Sequence, residues 1–258
     1  MKILYVTTFN KSFYELCTHN LINTFIQNVE GTLLACYEED IPRMPKHEKI
    51  IYKNIDEDQF LLSWINDNLD IIPEQYGGSM KSKFVQGTVE MFNFRASKWF
   101  RKVVALNNAL EIYDEYDALI LIDADSRIKK ELTSEKIISI FKDSDIIYHL
   151  GMFRKKQPLE GGAGIESGVV GFRGEDGKEL LGRLINKFRN GGFREYDRWD
   201  DGYVLRKVLE ESEDLNSRDL VKNVAMPSTR VVEFGPFNDY VFHDKGKTTR
   251  EIFNRGGV

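Results

Sequence analysis

Lys2-Ile-Leu-Tyr-Val-Thr-Thr8 is mostly apolar and rich in β-branched and aromatic side chains, as a buried first strand requires. Ser12-Phe-Tyr-Glu15 has capping-box spacing and predicts a helix that runs until Gly31 stops it. Thr32 to Tyr37 reads as a second strand, and an irregular segment with Pro42 and Pro45 follows. Residues 58–70 place Phe60, Leu61, Trp64, Ile65 and Leu69 on one side of a helix, and Gly77-Gly78-Ser79 marks a loop. From about Thr88 to Tyr113, the spacing of Phe92, Trp99, Val103, Leu106 and Leu110 fits one long helix or two short ones. Asp117-Ala-Leu-Ile-Leu-Ile-Asp-Ala-Asp-Ser126 is the most legible segment: an apolar run bounded by acids predicts a central strand buried on both faces. A short helix at 133–141 and a strand from Asp145 to His149 come next. A Gly161–Gly164 loop then precedes a strand at Ser167-Gly-Val-Val-Gly-Phe172. Helices at about 176–189 and 198–211, a strand near Arg230–Phe234 and a loop at 242–247 complete the pattern. Strands alternating with helices predict an α/β fold with a Rossmann-like, mostly parallel central sheet flanked by helices.

The length of 258 residues suits one such domain, and no Pro/Gly/Ser-rich linker divides it. No apolar run approaches the roughly 20 residues that span a bilayer. Met1-Lys2 leads straight into Ile3-Leu4-Tyr5-Val6, too short for the apolar core of a secretory leader. Cys17 and Cys36 have no ligand spacing around them and read as reduced core residues, which predicts a cytoplasmic protein. The net charge of −5 argues against a general nucleic-acid binder, but the charges are segregated. Residues 37–74 are acid-rich, whereas Lys81, Lys83, Arg95, Lys98, Arg101 and Lys102 lie in a stretch whose only acid is Glu90. Arg154-Lys155-Lys156 and the tail residues Lys245, Lys247, Arg250 and Arg255 add further basic groups. Local basic clusters on an acidic chain predict a site for an anion, the alternative being a solvated charged surface.

Asp123-Ala124-Asp125 stands where the central apolar run ends, and open α/β sheets bind ligands at the carboxyl ends of their strands. Two carboxylates one residue apart can offer oxygens to one divalent cation at about 2.0–2.2 Å. Acids after a strand also serve as turn and cap formers, so the pair alone does not decide the chemistry.

An apolar strand followed by D-x-D resembles the GT-A-fold glycosyltransferases, and the resemblance extends along nearly the whole chain. Ser167-Gly-Val-Val-Gly-Phe172 resembles the N-x-G strand of their retaining, glycogenin-like branch. Asp200-Asp201-Gly-Tyr-Val204 resembles that branch's D-Q-D segment, and His243-Asp-Lys-Gly246 its H-x-x-G loop. Glu166-Ser167 stands where the branch has an asparagine and a small residue. Its loop lysine would fall on Thr249, which Lys245, Lys247 and Arg250 flank. The resemblance implies a single GT-A-like domain, with a nucleotide-sugar-binding half at 1–126 and an acceptor-binding half at 127–258. It implies Mn²⁺ or Mg²⁺ on Asp123, Asp125 and His243, with imidazole favouring Mn²⁺. Donor contacts would come from Thr7, Thr8, Phe9, Arg95, Lys98, Asp123, Lys245 and Lys247, and the default donor is a UDP-sugar. Asp200, Asp201 and Glu166 would serve the sugar or the acceptor as catalytic carboxylates, Asp200 alternatively as a helix N-cap.

Two acceptors are compatible with these residues. One is a saccharide or other hydroxyl compound. The other is a hydroxymethylated base in DNA, as for virus-encoded glycosyltransferases, for which the basic clusters at 81–102, 154–156 and 189–198 would form the duplex surface. Outside this class, a nucleotidyltransferase should carry a glycine-rich phosphate loop, and Thr7-Thr-Phe-Asn-Lys11 has no glycine. A non-catalytic nucleotide-sugar or glycan-binding module is the remaining alternative.

Overall fold

The computed structural model describes residues 1–72, 89–152, 163–224 and 231–243. β1 (Ile3–Phe9) leads into α1 (Lys11–Phe13), a π-helical turn at Tyr14–Thr18 and α2 (His19–Asn28). Asn10, not Ser12, caps this helical stretch, its side-chain oxygen accepting from the Phe13 N–H at 2.9 Å. β2 (Thr32–Tyr37), β3 (Ile50–Asn54) and α3 (Gln59–Asp67) follow. The apolar pattern of 88–113 resolves into two helices, α4 (Val89–Phe94) and α5 (Ala96–Leu110), with Arg95 at their junction. Next come β4 (Ala118–Ile122), β5 (Ser126–Ile128), α6 (Ser134–Phe141), β6 (Ile146–Tyr148) and β7 (Val169–Arg173). α7 (Gly174–Arg189), α8 (Asp201–Glu210), β8 (Ser217–Asp219) and β9 (Val241–His243) complete the order.

Seven strands form one sheet in the order β3-β2-β1-β4-β7-β6-β8. Every neighbouring pair is parallel except β4–β7 and β6–β7, so β7 alone runs against the rest. The predicted, largely parallel α/β sheet is therefore what forms, and it draws strands from both halves of the chain. Alternation along the central strands sends Leu4, Val6, Leu119 and Leu121 to one apolar layer with α3, α5, α7 and α8. Ile3, Tyr5, Ile120 and Ile122 face a second layer with α2 and α6. Trp64, Phe100, Phe188 and Phe193 form a stacked aromatic centre in the first layer, with Trp64 and Phe100 only 4.1 Å apart. Two faces covered by helices leave the carboxyl ends of β1, β2 and β4 as the place where polar groups can gather.

Three expectations are corrected. The segment read as irregular after Pro45 contains β3, an edge strand whose exposed Ile51, Lys53 and Asn54 hide the alternation that marks a buried one. The strand expected near 230–234 is a 3₁₀ turn at Val231–Phe234, and the tail pairs later, through β9. β5 and β8 are three residues each, too short for a period of two to show. The Gly77–Ser79 loop and the start of the Gly161–Gly164 loop lie outside the described residues.

Backbone contact fixes the approach of α8 to the sheet. Ile165 N–H donates to the Gly202 carbonyl at 2.9 Å. A Cβ on Gly202 would stand 2.3 Å from the Ile165 carbonyl oxygen, and one on Gly164 would stand 2.4 Å from the Tyr203 nitrogen. Neither clash can be relieved by turning a side chain. Gly202→Ala is accordingly expected to destabilise the fold by about 1–3 kcal/mol through overpacking, read as a lower midpoint in urea unfolding. Wild-type stability in that variant would mean the two backbones do not meet as described.

Candidate functional site

β4 delivers Asp123 and Asp125 to the carboxyl edge of the sheet. The Asp123 N–H donates to the Gly168 carbonyl at 3.0 Å, and the Ser126 N–H closes a turn onto the Asp123 carbonyl at 3.0 Å. That turn starts β5, which pairs antiparallel with β9 in the register Ser126↔His243, Arg127↔Phe242 and Ile128↔Val241. A three-residue ribbon thus carries a histidine from the far end of the chain onto the D-x-D turn. His243 Nε2 lies 3.2 Å from Asp123 Oδ2 and 3.0 Å from Asp125 Oδ1. One ligand atom from each of Asp123, Asp125 and His243 falls within 4.8 Å of the others. Three atoms each about 2.1 Å from a shared centre lie at most about 4.2 Å apart, and the 3.2 and 3.0 Å from Nε2 fall within that, so the group could hold a divalent cation. Its donors are two carboxylate oxygens and one imidazole nitrogen.

His243 is 3% exposed, and Gly168 makes room for it: a Cβ there would stand 2.8 Å from the imidazole Cε1 and Nδ1. On the Nδ1 side, Glu166 Oε1 lies 3.8 Å away. Glu166 is itself only 2% exposed and sits behind the imidazole. The carboxylate thus stands near the imidazole Nδ1 without a hydrogen bond to it, at 3.8 Å.

Lys102, on the inward stripe of α5, was not singled out from the sequence beyond its membership of a basic stretch. Its Nζ stands 2.5 Å from Asp123 Oδ1 and 3.4 Å from Asp201 Oδ2, and donates to Ser167 Oγ at 2.9 Å. The signal that could have found it is position: Ala105 and Ala109, three and seven residues on along the same face, are completely buried. A lysine in that stripe needs a partner inside the protein.

The electrostatics follow from this packing. Burial is the largest single influence on Asp123 and pushes its pKa up, but Lys102 and His243 outweigh it and hold the carboxyl well below the usual range. Burial likewise opposes charge on His243, yet bonds to Asp123 and Asp125 lift its pKa to about 10. Lys102 is raised above the ordinary lysine range, burial again opposing and Asp123 and Asp201 prevailing. Four carboxylates, from Asp123, Asp125, Asp201 and Glu166, converge on one lysine and one histidine. The oxygens and Nε2 that share a proton here are the atoms a cation would take.

The two acids at the start of α8 part company. Asp200 is the N-cap, accepting from the Tyr203 N–H, and pairs at 2.9 Å with the buried Arg198. Burial, with Asp201 adding, raises its pKa while Arg198 opposes the shift. Asp200 thus has a cap and an ion pair as its partners, the alternative expected for it, while Asp201 faces Lys102 beside Asp123. Asp200→Asn keeps the capping oxygen and removes the charge opposite Arg198. It is expected to cost about 1.5–3 kcal/mol of stability, the range for a hydrogen bond to a charged group, with turnover below the melting point kept. A collapse of turnover in folded Asp200→Asn would return it to the chemistry.

Among the expected donor contacts, Thr7 and Phe9 are buried, because residues 3, 5, 7 and 9 of β1 all face the α2 layer. Phe9 stacks on Tyr14 and Tyr37 at 5.8 and 6.5 Å. Of the three, only Thr8 keeps a partly open side chain. Arg95 stands at the α4–α5 junction, and Lys98 lies over the Trp99 ring at 5.7 Å. Desolvation, then Arg95 and Lys102, lower the Lys98 pKa while Asp125 and Asp123 oppose, which places Lys98 in the field of the metal group. Lys245 and Lys247 lie outside the described residues, as do the basic groups at 81, 83 and 154–156.

The cluster at 189–198 is divided, with Arg198 buried, Arg194 paired and Arg189 exposed. Arg198 is 3% exposed, Arg194 forms two short bonds to Asp70, and Arg189 lies over the Phe60 ring and donates to Asn107.

No family model matches the sequence, and no curated protein matches it at a significant level. Among solved structures, the chain is similar to mouse xyloside xylosyltransferase 1 in its apo form. The identity is 14%, each chain is covered to 85%, and the TM-score is 0.48. No helix among the described residues is long and apolar enough to cross a membrane.

Proposed function

We propose that the chain is a divalent-metal-dependent glycosyltransferase that moves a sugar from a nucleotide-sugar, by default a UDP-sugar, to a hydroxyl acceptor. The observation that carries this reading is the meeting of Asp123, Asp125 and His243, from segments more than a hundred residues apart, at the carboxyl end of a central strand. The D-x-D, S-G-V-V-G, D-D-G and H-D-K-G segments resemble the glycogenin-like branch in their order along the chain.

A cation held there supplies Lewis-acid charge to the diphosphate of the departing nucleotide. Asp123 and Asp125 would hold it through carboxylate oxygens and His243 through Nε2, with Glu166 near the imidazole Nδ1 at 3.8 Å. Lys102, beside Asp123, adds positive charge on the leaving-group side. Lys98 on α5 and Arg95 at its N-cap would serve the phosphates and Thr8 the base; Lys245 and Lys247, outside the described residues, remain candidates from the resemblance. Asp201 stands 3.4 Å from Lys102 Nζ, and we assign it the carboxylate role of orienting the sugar or stabilising positive charge at the anomeric carbon. Retention is proposed from the resemblance of the motifs to the glycogenin-like branch. The first half of the chain then binds the donor and the second half the acceptor. We take a saccharide or other small hydroxyl compound as the acceptor; the burial of Arg198 and the pairing of Arg194 with Asp70 leave Arg189 as the exposed arginine of the 189–198 cluster.

The test is nucleotide release from a panel of UDP-sugars with Mn²⁺, offering oligosaccharides and hydroxymethylated DNA in turn, with the anomer of the product read by NMR. Faster release with a saccharide and a retained anomer is expected. Acceleration by DNA alone would overturn the acceptor, and no release from any donor by folded protein would favour a binding module.

A further inference from the structure

Asn93, on the last turn of α4, carries none of the motifs above. Its Oδ1 accepts from the Trp199 N–H and its Nδ2 donates to the Asp197 carbonyl, both at 3.0 Å. One planar amide therefore satisfies a donor and an acceptor two residues apart, the pairing a neighbouring strand would otherwise give. The segment it holds is the turn that feeds α8. Immediately beyond it, Asp200 caps the helix and Asp201 faces Lys102 at 3.4 Å.

The other end of the connection is as direct. α5 begins three residues after Asn93 and presents Lys102 on its second turn, where Nζ meets Asp123. Two contacts brace the same turn: Arg198 lies 3.7 Å over the ring of Phe92, and Trp199 Nε1 donates to the Tyr196 carbonyl at 3.0 Å. A closed ring of contacts results, running from α4 to the 197–199 turn, Asp201, Lys102 and back through α5. Asn93 is the member of that ring that joins α4 to the turn by hydrogen bonds on both sides of its amide.

We infer that Asn93 is a positioning residue that sets where Asp201 stands relative to Lys102 and Asp123. The geometric part rests on these contacts alone, and the kinetic part rests on the proposed glycosyl transfer. Small displacements of groups around a reacting centre can cost orders of magnitude in rate without loss of binding.

Asn93→Asp is the sharpest variant, because it keeps an oxygen for Trp199 and sets a second oxygen against the Asp197 carbonyl at nearly constant volume. Asn93→Ala removes both bonds. Two readouts are taken on the full chain: labelling of Lys102 by an amine reagent, followed by peptide mass spectrometry, and kcat with donor KM in Mn²⁺. Lys102 has a 16% exposed side chain and Lys136, far from the ring, a 38% exposed one that serves as the control. We expect Lys102 labelling to rise about tenfold at unchanged Lys136 labelling, and kcat to fall about tenfold or more with KM and Mn²⁺ affinity held within about twofold. Unchanged Lys102 labelling with unchanged kcat overturns the inference. So does faster labelling of every lysine with a lower Tm and intact kcat, which would mark a purely structural residue. A wild type without turnover defeats glycosyl transfer, and the Lys102 labelling alone then decides the clamp.

Discussion

Asp123→Ala, Asp125→Ala and His243→Ala are each expected to lower metal-dependent turnover by about a thousandfold or more while leaving the protein folded. The size follows from the role: loss of one ligand from a three-residue set removes the charge that stabilises the departing diphosphate, and electrostatic groups of that kind are worth about 10²–10³ each. Folding should survive because the three residues compete for shared protons rather than filling the core. Asp123 and Asp125 have side chains 17% exposed; Asp123→Ala also takes one partner from Lys102, which keeps Asp201 and Ser167, so a lower midpoint without unfolding is expected. His243 is the most buried of the three, but its ribbon is held by the Val241–Ile128 and Phe242–Arg127 pairs as well. Circular dichroism and turnover measured on the same preparations check this. Full Mn²⁺-dependent activity in any one variant would remove that residue from the site.

Lys102→Met should do the opposite, striking stability as well as activity. The methionine matches the volume, but it leaves Asp123 and Asp201 facing each other with nothing between them except Ser167. Breaking a buried pair by removing one partner typically costs about 3–5 kcal/mol. With side chains 9–17% exposed around it, a loss near the lower end is expected. The sign with pH is also set. Lys102 has a folded pKa above its unfolded one, so its contribution is fully present below the unfolded value and fades only as pH rises through the higher folded value. The deficit of Lys102→Met should therefore be constant across neutral pH and shrink only in strong alkali. Denaturant midpoints at several pH values measure it. A variant as stable as the wild type would show that the two acids do not depend on Lys102.

Much of this was legible in the residues. The apolar run 118–122 could only be a strand buried on both faces, and the acids that end it could only fall at its carboxyl end. His243 could be singled out because the motif order placed it, yet nothing local predicted β9, whose three residues gain their structure from pairing with β5. β3 was hidden by being an edge, and the α4–α5 break fell within a continuous apolar period. Among the site residues, sequence could not divide Asp200 from Asp201, since both fit the start of a helix; the partner of each, Arg198 or Lys102, is a tertiary fact. The burial of Thr7 and Phe9 was contained in the strand itself, because alternate residues of β1 share the face that packs on α2. Lys102 was visible only as one charge among several, and its isolation on a stripe with Ala105 and Ala109 became meaningful once the helix was placed.

The most direct measurement is a manganese titration followed by electron paramagnetic resonance, on the wild type and on Asp123→Ala, with and without UDP. If the Asp123–Asp125–His243 group holds a cation against a nucleotide diphosphate, UDP will tighten Mn²⁺ binding in the wild type and the variant will lose both the binding and the tightening. Equal Mn²⁺ binding by the two proteins, or wild-type binding indifferent to UDP, would contradict it.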